Sequence, residues 1–113
     1  MAKLFNRARM STATTGAGTI TLGVAVAGFL SFANSGVVDG DVVTYAIEDG
    51  SSSEVGRGTY IASGTTLSRD LIYSSTNGGA AINLSGTAEV FITVAKEDLY
   101  PLAVAAQSAN GGL

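Results

Sequence analysis

Two carboxylates stand one residue apart in Asp39-Gly40-Asp41, and two more follow in Glu48-Asp49. Carboxylates in a tight turn are how a calcium loop begins, but calcium takes six or more oxygens, so further ligands must follow at spaced positions. Val42 and Val43 hold those positions. The Asp-Gly-Asp run is therefore turn chemistry at a strand entry, where Asp and Gly tolerate positive φ. Glu48 and Glu54 flank a loop and are placed to face each other across a hairpin. A hydrolase built on such a pair needs a substrate cleft, which a chain of 113 residues hardly provides. Gly16-Ala17-Gly18 is half of a phosphate-binding glycine turn. The full motif continues into a helix whose N-terminus holds the anion, and here Thr19-Ile20-Thr21-Leu22 alternates as a strand instead.

Covalent chemistry has little to work with. Serines are abundant, but the chain has neither histidine nor cysteine, and Lys3 and Lys96 are its only side-chain amines. No Ser-His-Asp or Cys-His constellation can be assembled from it. The same absences exclude disulfides and thiolate metal sites, and they remove the usual general base near neutral pH. The expectation is a protein that is not an enzyme and that takes no metal or organic cofactor. Tyr45, Tyr60, Tyr73 and Tyr100 offer one binding chemistry, a sugar-stacking face, weakened by the absence of tryptophan. Tyrosines on a sheet are otherwise half-buried packing residues with a wet hydroxyl.

Any such groups must be positioned by strands. The chain is short enough for one domain with one modest core. Hydrophobic residues make up 46%, charged residues only 13%, and fifteen glycines accompany a single proline. The dominant period is two. Arg7 to Thr14 alternates, Thr19 to Leu22 alternates again, and Val42-Val43-Thr44-Tyr45-Ala46-Ile47-Glu48 has the β-branched and aromatic content of a pleated surface. Residues 54–62 return as the second arm of a hairpin, with Gly56 and Gly58 marking a bulge or kink. Residues 65–74 form another strand, and Asn77-Gly78 signals a hairpin into residues 80–84. Residues 87–95 close the meander. Four Gly-Thr pairs, at positions 18, 58, 64 and 86, repeat a turn-to-strand solution without a constant period.

Strands every 8–12 residues predict an all-β fold, a small antiparallel β-sandwich or barrel of jelly-roll type with extended N- and C-terminal arms. The predicted core is Ile20, Leu22, Phe32, Val43, Tyr45, Ile47, Tyr60, Leu67, Leu71, Leu84, Val90 and Ile92, with Phe29 and Leu30 adding bulk.

The ends differ from the middle. Residues 1–7 make a basic arm, residues 8–98 the β domain, and residues 99–113 an apolar arm without a charge. Lys3, Arg7 and Arg9 lie among the first nine residues, and the remainder sets three basic groups against nine acidic ones. A body that acidic repels a phosphate backbone, so no nucleic-acid partner is expected. The most apolar stretch, residues 20–32, is interrupted by Thr21, Gly23, Gly28 and Ser31 and falls short of the roughly twenty residues that span a bilayer. The polar run Ser11 to Gly16 separates the basic start from it, which is unlike an export signal, and no membrane is expected. Apolar, uncharged ends gain by burial on a partner. Leu4, Phe5, Arg7, Arg9, Tyr100, Leu102 and Val104 are accordingly the expected partner-binding residues.

A longer series of segments carries a resemblance. It runs from Phe5-Asn6-Arg7-Ala8 through Thr14-Thr15-Gly16-Ala17-Gly18-Thr19-Ile20-Thr21-Leu22-Gly23 and Ala27-Gly28-Phe29 to Gly36-Val37-Val38-Asp39-Gly40-Asp41. It continues in Tyr45-Ala46-Ile47-Glu48-Asp49-Gly50, Glu54-Val55-Gly56-Arg57-Gly58-Thr59-Tyr60, Gly64-Thr65-Thr66-Leu67-Ser68-Arg69 and Leu84-Ser85-Gly86-Thr87-Ala88-Glu89-Val90-Phe91. In this order, over about residues 5–95, the chain resembles short modules of tailed-bacteriophage and prophage particles. These form the N-terminal attachment parts of fibre or tail proteins and also occur as small virion proteins. The resemblance implies a structural virion protein assembled in the host cytoplasm: a fibre or spike base or tail adaptor. Its implied partners are fibre, tail or capsid subunits and further copies of itself. A capsid decoration (cement) protein and a carbohydrate-binding module are the alternative expectations.

Overall fold

Alternation puts Val43, Tyr45 and Ile47 on one face of β4 (Val42–Asp49) and Thr44 and Ala46 on the other. All five are buried, so this strand needs cover on both sides. In the computed structural model of the protein, which describes residues 2–99, it has that cover. β4 forms a hairpin with β5 (Ser52–Ile61) through eight antiparallel pairs, from Val42↔Thr59 to Asp49↔Ser52. Gly50, at the first central position of the turn with φ 61°, supplies the backbone that a II′ connection favours.

The other edge of β4 pairs with β9 (Glu89–Ile92), and β9 pairs with β1 (Arg9–Ser11). Beyond β5 lie β6 (Thr66–Leu67) and β7 (Leu71–Ser75), side by side along its length, and β3 (Ile20–Thr21) continues from β6. β2 (Thr15–Gly16) and β8 (Leu84–Ser85) make a separate two-stranded pair. Every pairing of strands is antiparallel, and the large sheet curls into a half-barrel, so the protein is all-β. The predicted meander is only partly present: β8 pairs with β2 and β9 with β4 and β1, because the chain after the Asn77-Gly78-Gly79 turn leaves β7 after one bridge, Asn77↔Ala80.

Ten of the twelve predicted core residues are buried, and Ala8, Met10, Val37, Ile82 and Ala88 join them. Ile92 is half-buried against the cluster. Leu71 is 52% exposed, for a definite reason. The β5–β7 register slips between Val55 and Gly56, leaving Tyr73 as the extra residue, and Leu71 comes opposite the outward-facing Arg57. Phe29 and Leu30 also stay near the surface, and the bulk comes from Phe32 in α1 (Phe32–Ser35). This single helical turn is capped by Ser31 Oγ, which accepts from Asn34 N, and ends at Gly36 with φ 109°.

Gly58 is forced by a close approach. A Cβ built there falls 1.9 Å from the carbonyl oxygen of Ser68, and one at Gly56 falls 2.5 Å from that of Leu71. Without side chains at these core-facing positions, residues 68–71 pass against β5.

The N-terminal segment is extended, and it lies on its own domain. Lys3 bridges to Val43 in parallel, its N–H donates to the Val42 carbonyl at 3.0 Å, and Ala2 is buried. At the other end a helical turn, residues 96–99, packs on the far side of β4. There Asp98 accepts from Thr44 Oγ1 and from Ala95 N, both at 3.0 Å. Among the described residues no helix is long and apolar enough to cross a membrane.

Candidate functional site

Cross-strand register lines up one row of side chains over five strands. Arg9 stands opposite Phe91, Phe91 opposite Ala46, Ala46 opposite Val55, and Val55 opposite Ser74. The pleat places this row on the face away from Tyr45, Ile47 and Val90. Next to it runs a polar row, Ser11, Glu89, Glu48 and Ser53. On its other side Thr44 lies under the segment that ends in the 96–99 turn. An apolar strip of Phe91, Ala46 and Val55 is thus left between an acidic edge and a wall made by residues 93–97, and together they form an open groove of about 370 Å³.

One end of the groove is built by cations on aromatic rings. The Arg9 guanidinium lies 4.6 Å from the Phe91 ring centre and 5.6 Å from that of Phe29, and Arg7 lies over Phe29 at 4.0 Å. Arg9 Nη2 is 2.7 Å from carboxylate oxygens of both Glu48 and Glu89. Burial works against the Arg9 charge, but the hydrogen bonds to Glu48 and Glu89 outweigh it and raise the guanidinium pKa. Arg9 is therefore a fixed, compensated cation, in place to hold β1 and the Phe91 ring. Ion pairs this exposed add at most about 1 kcal/mol each, so they shape the groove more than they stabilise the fold.

Of the residues expected to bind partners, Arg9 belongs to the groove row and Arg7 reaches it through Phe29. Arg7 takes a left-handed backbone, φ 62°, and donates to the Gly28 carbonyl. Leu4 is exposed at 57% on the N-terminal segment, and Phe5 packs on the core beside Gly36, so neither lies in the row. Tyr100, Leu102 and Val104 lie outside the described residues.

The most concentrated polar chemistry is internal. Glu54 is fully buried and accepts four hydrogen bonds: from the Tyr45 hydroxyl at 2.5 Å, from Arg69 Nη2 at 2.5 Å and Nε at 3.0 Å, and from Ile82 N at 2.8 Å. Burial alone raises the pKa of a carboxylate, but these donors, Arg69 foremost, hold Glu54 below its usual range. Burial first, and then the neighbouring Glu54 carboxylate, push the Tyr45 phenol up. Arg69 also donates to the carbonyls of Gly16, Gly18 and Ile82. Its side chain is 3% exposed and that of Glu54 0%, so the cluster ties the β2–β3 turn and the approach to β8 into the core and presents nothing to a substrate. Sequence reasoning missed it. The available signal was parity: Glu54 alternates with Gly56, Gly58 and Tyr60, all of them facing inward.

The remaining candidates resolve locally. Ile47, and not Glu48, stands opposite Glu54, so the two glutamates point to opposite faces of the sheet and make no carboxylate pair. Asp39 accepts from Ala62 N at 3.0 Å. Asp41 accepts from Lys3 Nζ at 2.7 Å and from Val38 N at 2.9 Å, the two bonds that lower its pKa. Gly16 and Gly18 turn carbonyls toward Arg69, the reverse of an anion cradle. Tyr45 and Tyr60 are buried and Tyr73 is half-buried, so these three make no exposed aromatic platform. No protein-family model matches the chain, and no curated protein or solved structure matches it either.

Proposed function

We propose that this chain is a non-enzymatic structural subunit of a tailed-phage particle, a fibre or spike base or tail adaptor that joins other virion proteins and copies of itself. The observation that carries this is the open apolar row Phe91–Ala46–Val55 on the outer face of a domain with so few charges. A contiguous apolar surface rimmed by polar groups is what a protein partner covers. The row is rigid, since each member sits in a paired strand, and Arg9 is fixed at its end by two carboxylates. An assembly module needs such a preformed face because little ordering is then required on docking. The resemblance of residues 5–95 to phage attachment modules supports the same role.

The test is the composition of purified particles. Quantitative mass spectrometry is expected to find the chain in them at a small fraction of the coat-protein copy number. A copy number comparable with that of the coat protein would instead favour capsid decoration. Absence from the particles, with unchanged particle yield when the gene is deleted, would overturn the virion role.

A further inference from the structure

We infer that the outer-face groove receives residues 102–106 of a second copy of this chain. The inference rests on the assembly role proposed above and names the partner of that same face. The groove, about 370 Å³, is within the range of roughly 300–1,000 Å³ typical of binding clefts. Its floor is Phe91, Ala46 and Val55, and Ser74 closes one end. The floor is shallow and apolar, so it suits small uncharged side chains in extended backbone. Leu102-Ala103-Val104-Ala105-Ala106 has that composition, and the whole stretch 99–113 contains no charged residue.

The connection to the body argues for a second copy and against the same one. Residues 93–97 are themselves the groove wall, and Asp98 is pinned by its bonds to Thr44 and Ala95. Only Leu99, Tyr100 and Pro101 separate that anchor from Leu102. A residue before proline is restricted to extended backbone, and proline fixes its own φ near −65°, so a link of this type opposes an immediate return beside the wall it has just left. Fourteen residues follow Leu99, and at roughly 3.3 Å each they are ample to reach a neighbouring body.

The chain contains no cysteine, so introduced thiols report single positions. Full-length Val55→Cys and Val104→Cys are mixed and oxidised. A disulfide requires the two Cα atoms within about 4.4–6.8 Å. The expected result is a linked heterodimer in high yield, and only background linkage when Val38→Cys, exposed away from the groove, replaces Val55→Cys. Full-length Val55→Glu is expected to weaken self-association at least tenfold in sedimentation velocity, while Leu71→Glu, on the same sheet face outside the groove, leaves it unchanged. An intrachain link in the Val55→Cys/Val104→Cys double variant at high dilution would overturn the second-copy assignment. Stable oligomers without the specific link would overturn the groove assignment and leave the virion role standing. A chain that neither self-associates nor enters particles would sink both.

Discussion

Replacing Arg69 with leucine is expected to damage this protein more than any change on its surface. The substitution removes two of the four donors to Glu54 and leaves that carboxylate inside the core with only the Tyr45 hydroxyl and Ile82 N. It also takes the side-chain donor from the carbonyls of Gly16, Gly18 and Ile82. Breaking a buried ion pair from one side costs about 3–5 kcal/mol, against a total stability of about 5–15 kcal/mol for a domain of this kind. At about 4–8 °C per kcal/mol, the melting temperature falls by at least about 12 °C. Removing both charges is gentler: Glu54→Leu with Arg69→Leu leaves no ion buried, and adding Tyr45→Phe removes the hydroxyl that would lose its acceptor, worth about 1–3 kcal/mol. Urea unfolding followed by far-ultraviolet circular dichroism measures each variant, with an unchanged slope as the sign of an unaltered transition. If Arg69→Leu stays within about 1 kcal/mol of the parent, or if the Glu54 and Arg69 losses simply add, the pair is not the buried, mutually dependent unit described here.

Gly58→Ala is expected to exceed the usual overpacking loss of about 1–3 kcal/mol, because the new Cβ meets backbone, the Ser68 carbonyl oxygen, and not a movable side chain; denaturant unfolding tests it. Ile47→Ala should cost about 2–5 kcal/mol, while Leu71→Ala stays within about 0.5 kcal/mol, so equal losses at the two positions would contradict the β7 register. The pH profile of stability should be limited at both ends by one cluster. Glu54 titrates lower in the folded state than in the unfolded one, so its contribution is complete above about pH 4.5 and is lost as acid carries the pH through the folded value. Tyr45 is shifted upward, so its contribution is complete below about pH 10 and is lost as the pH rises beyond it; Tyr45→Phe should flatten that alkaline limb in pH-dependent melting curves.

Local alternation made the strands and most of the core legible. Val43, Tyr45 and Ile47 share a parity that only a half-buried strand requires, and the glycines at 56 and 58 marked the place where β5 departs from regularity. Pairing was not legible. Leu71 lies on the outer face because of a one-residue slip against β5, which no property of Leu71 itself announces. Phe29 looked like core bulk and instead holds two arginines, since its cover comes from residues at positions 7 and 9. The groove row joins positions 9, 91, 46, 55 and 74 and exists only once five strands have found their neighbours. The buried Glu54–Arg69 pair was half visible, as a charge at an inward parity, but its partner fifteen residues away was set by tertiary structure.

The pairing of β1 with β9 brings together Arg9 and Glu89, eighty positions apart. Contacts of that range form slowly, because the loop entropy is lost before the contacts repay it. The β4–β5 hairpin, closed by a short local turn, is available early. β9 then inserts between β4 and β1, supplying the strand that β4 lacks on one side and β1 on the other. A nascent chain that has not yet released residues 89–92 from the ribosome therefore exposes a long, apolar edge along Val42–Asp49. An exposed edge of that kind recruits strands from other chains. For a protein synthesised in many copies before assembly, the critical interval is the time between hairpin closure and the arrival of the last strand. Sequence changes that delay β9, without altering any contact of the finished fold, will appear as lost yield and not as lost stability.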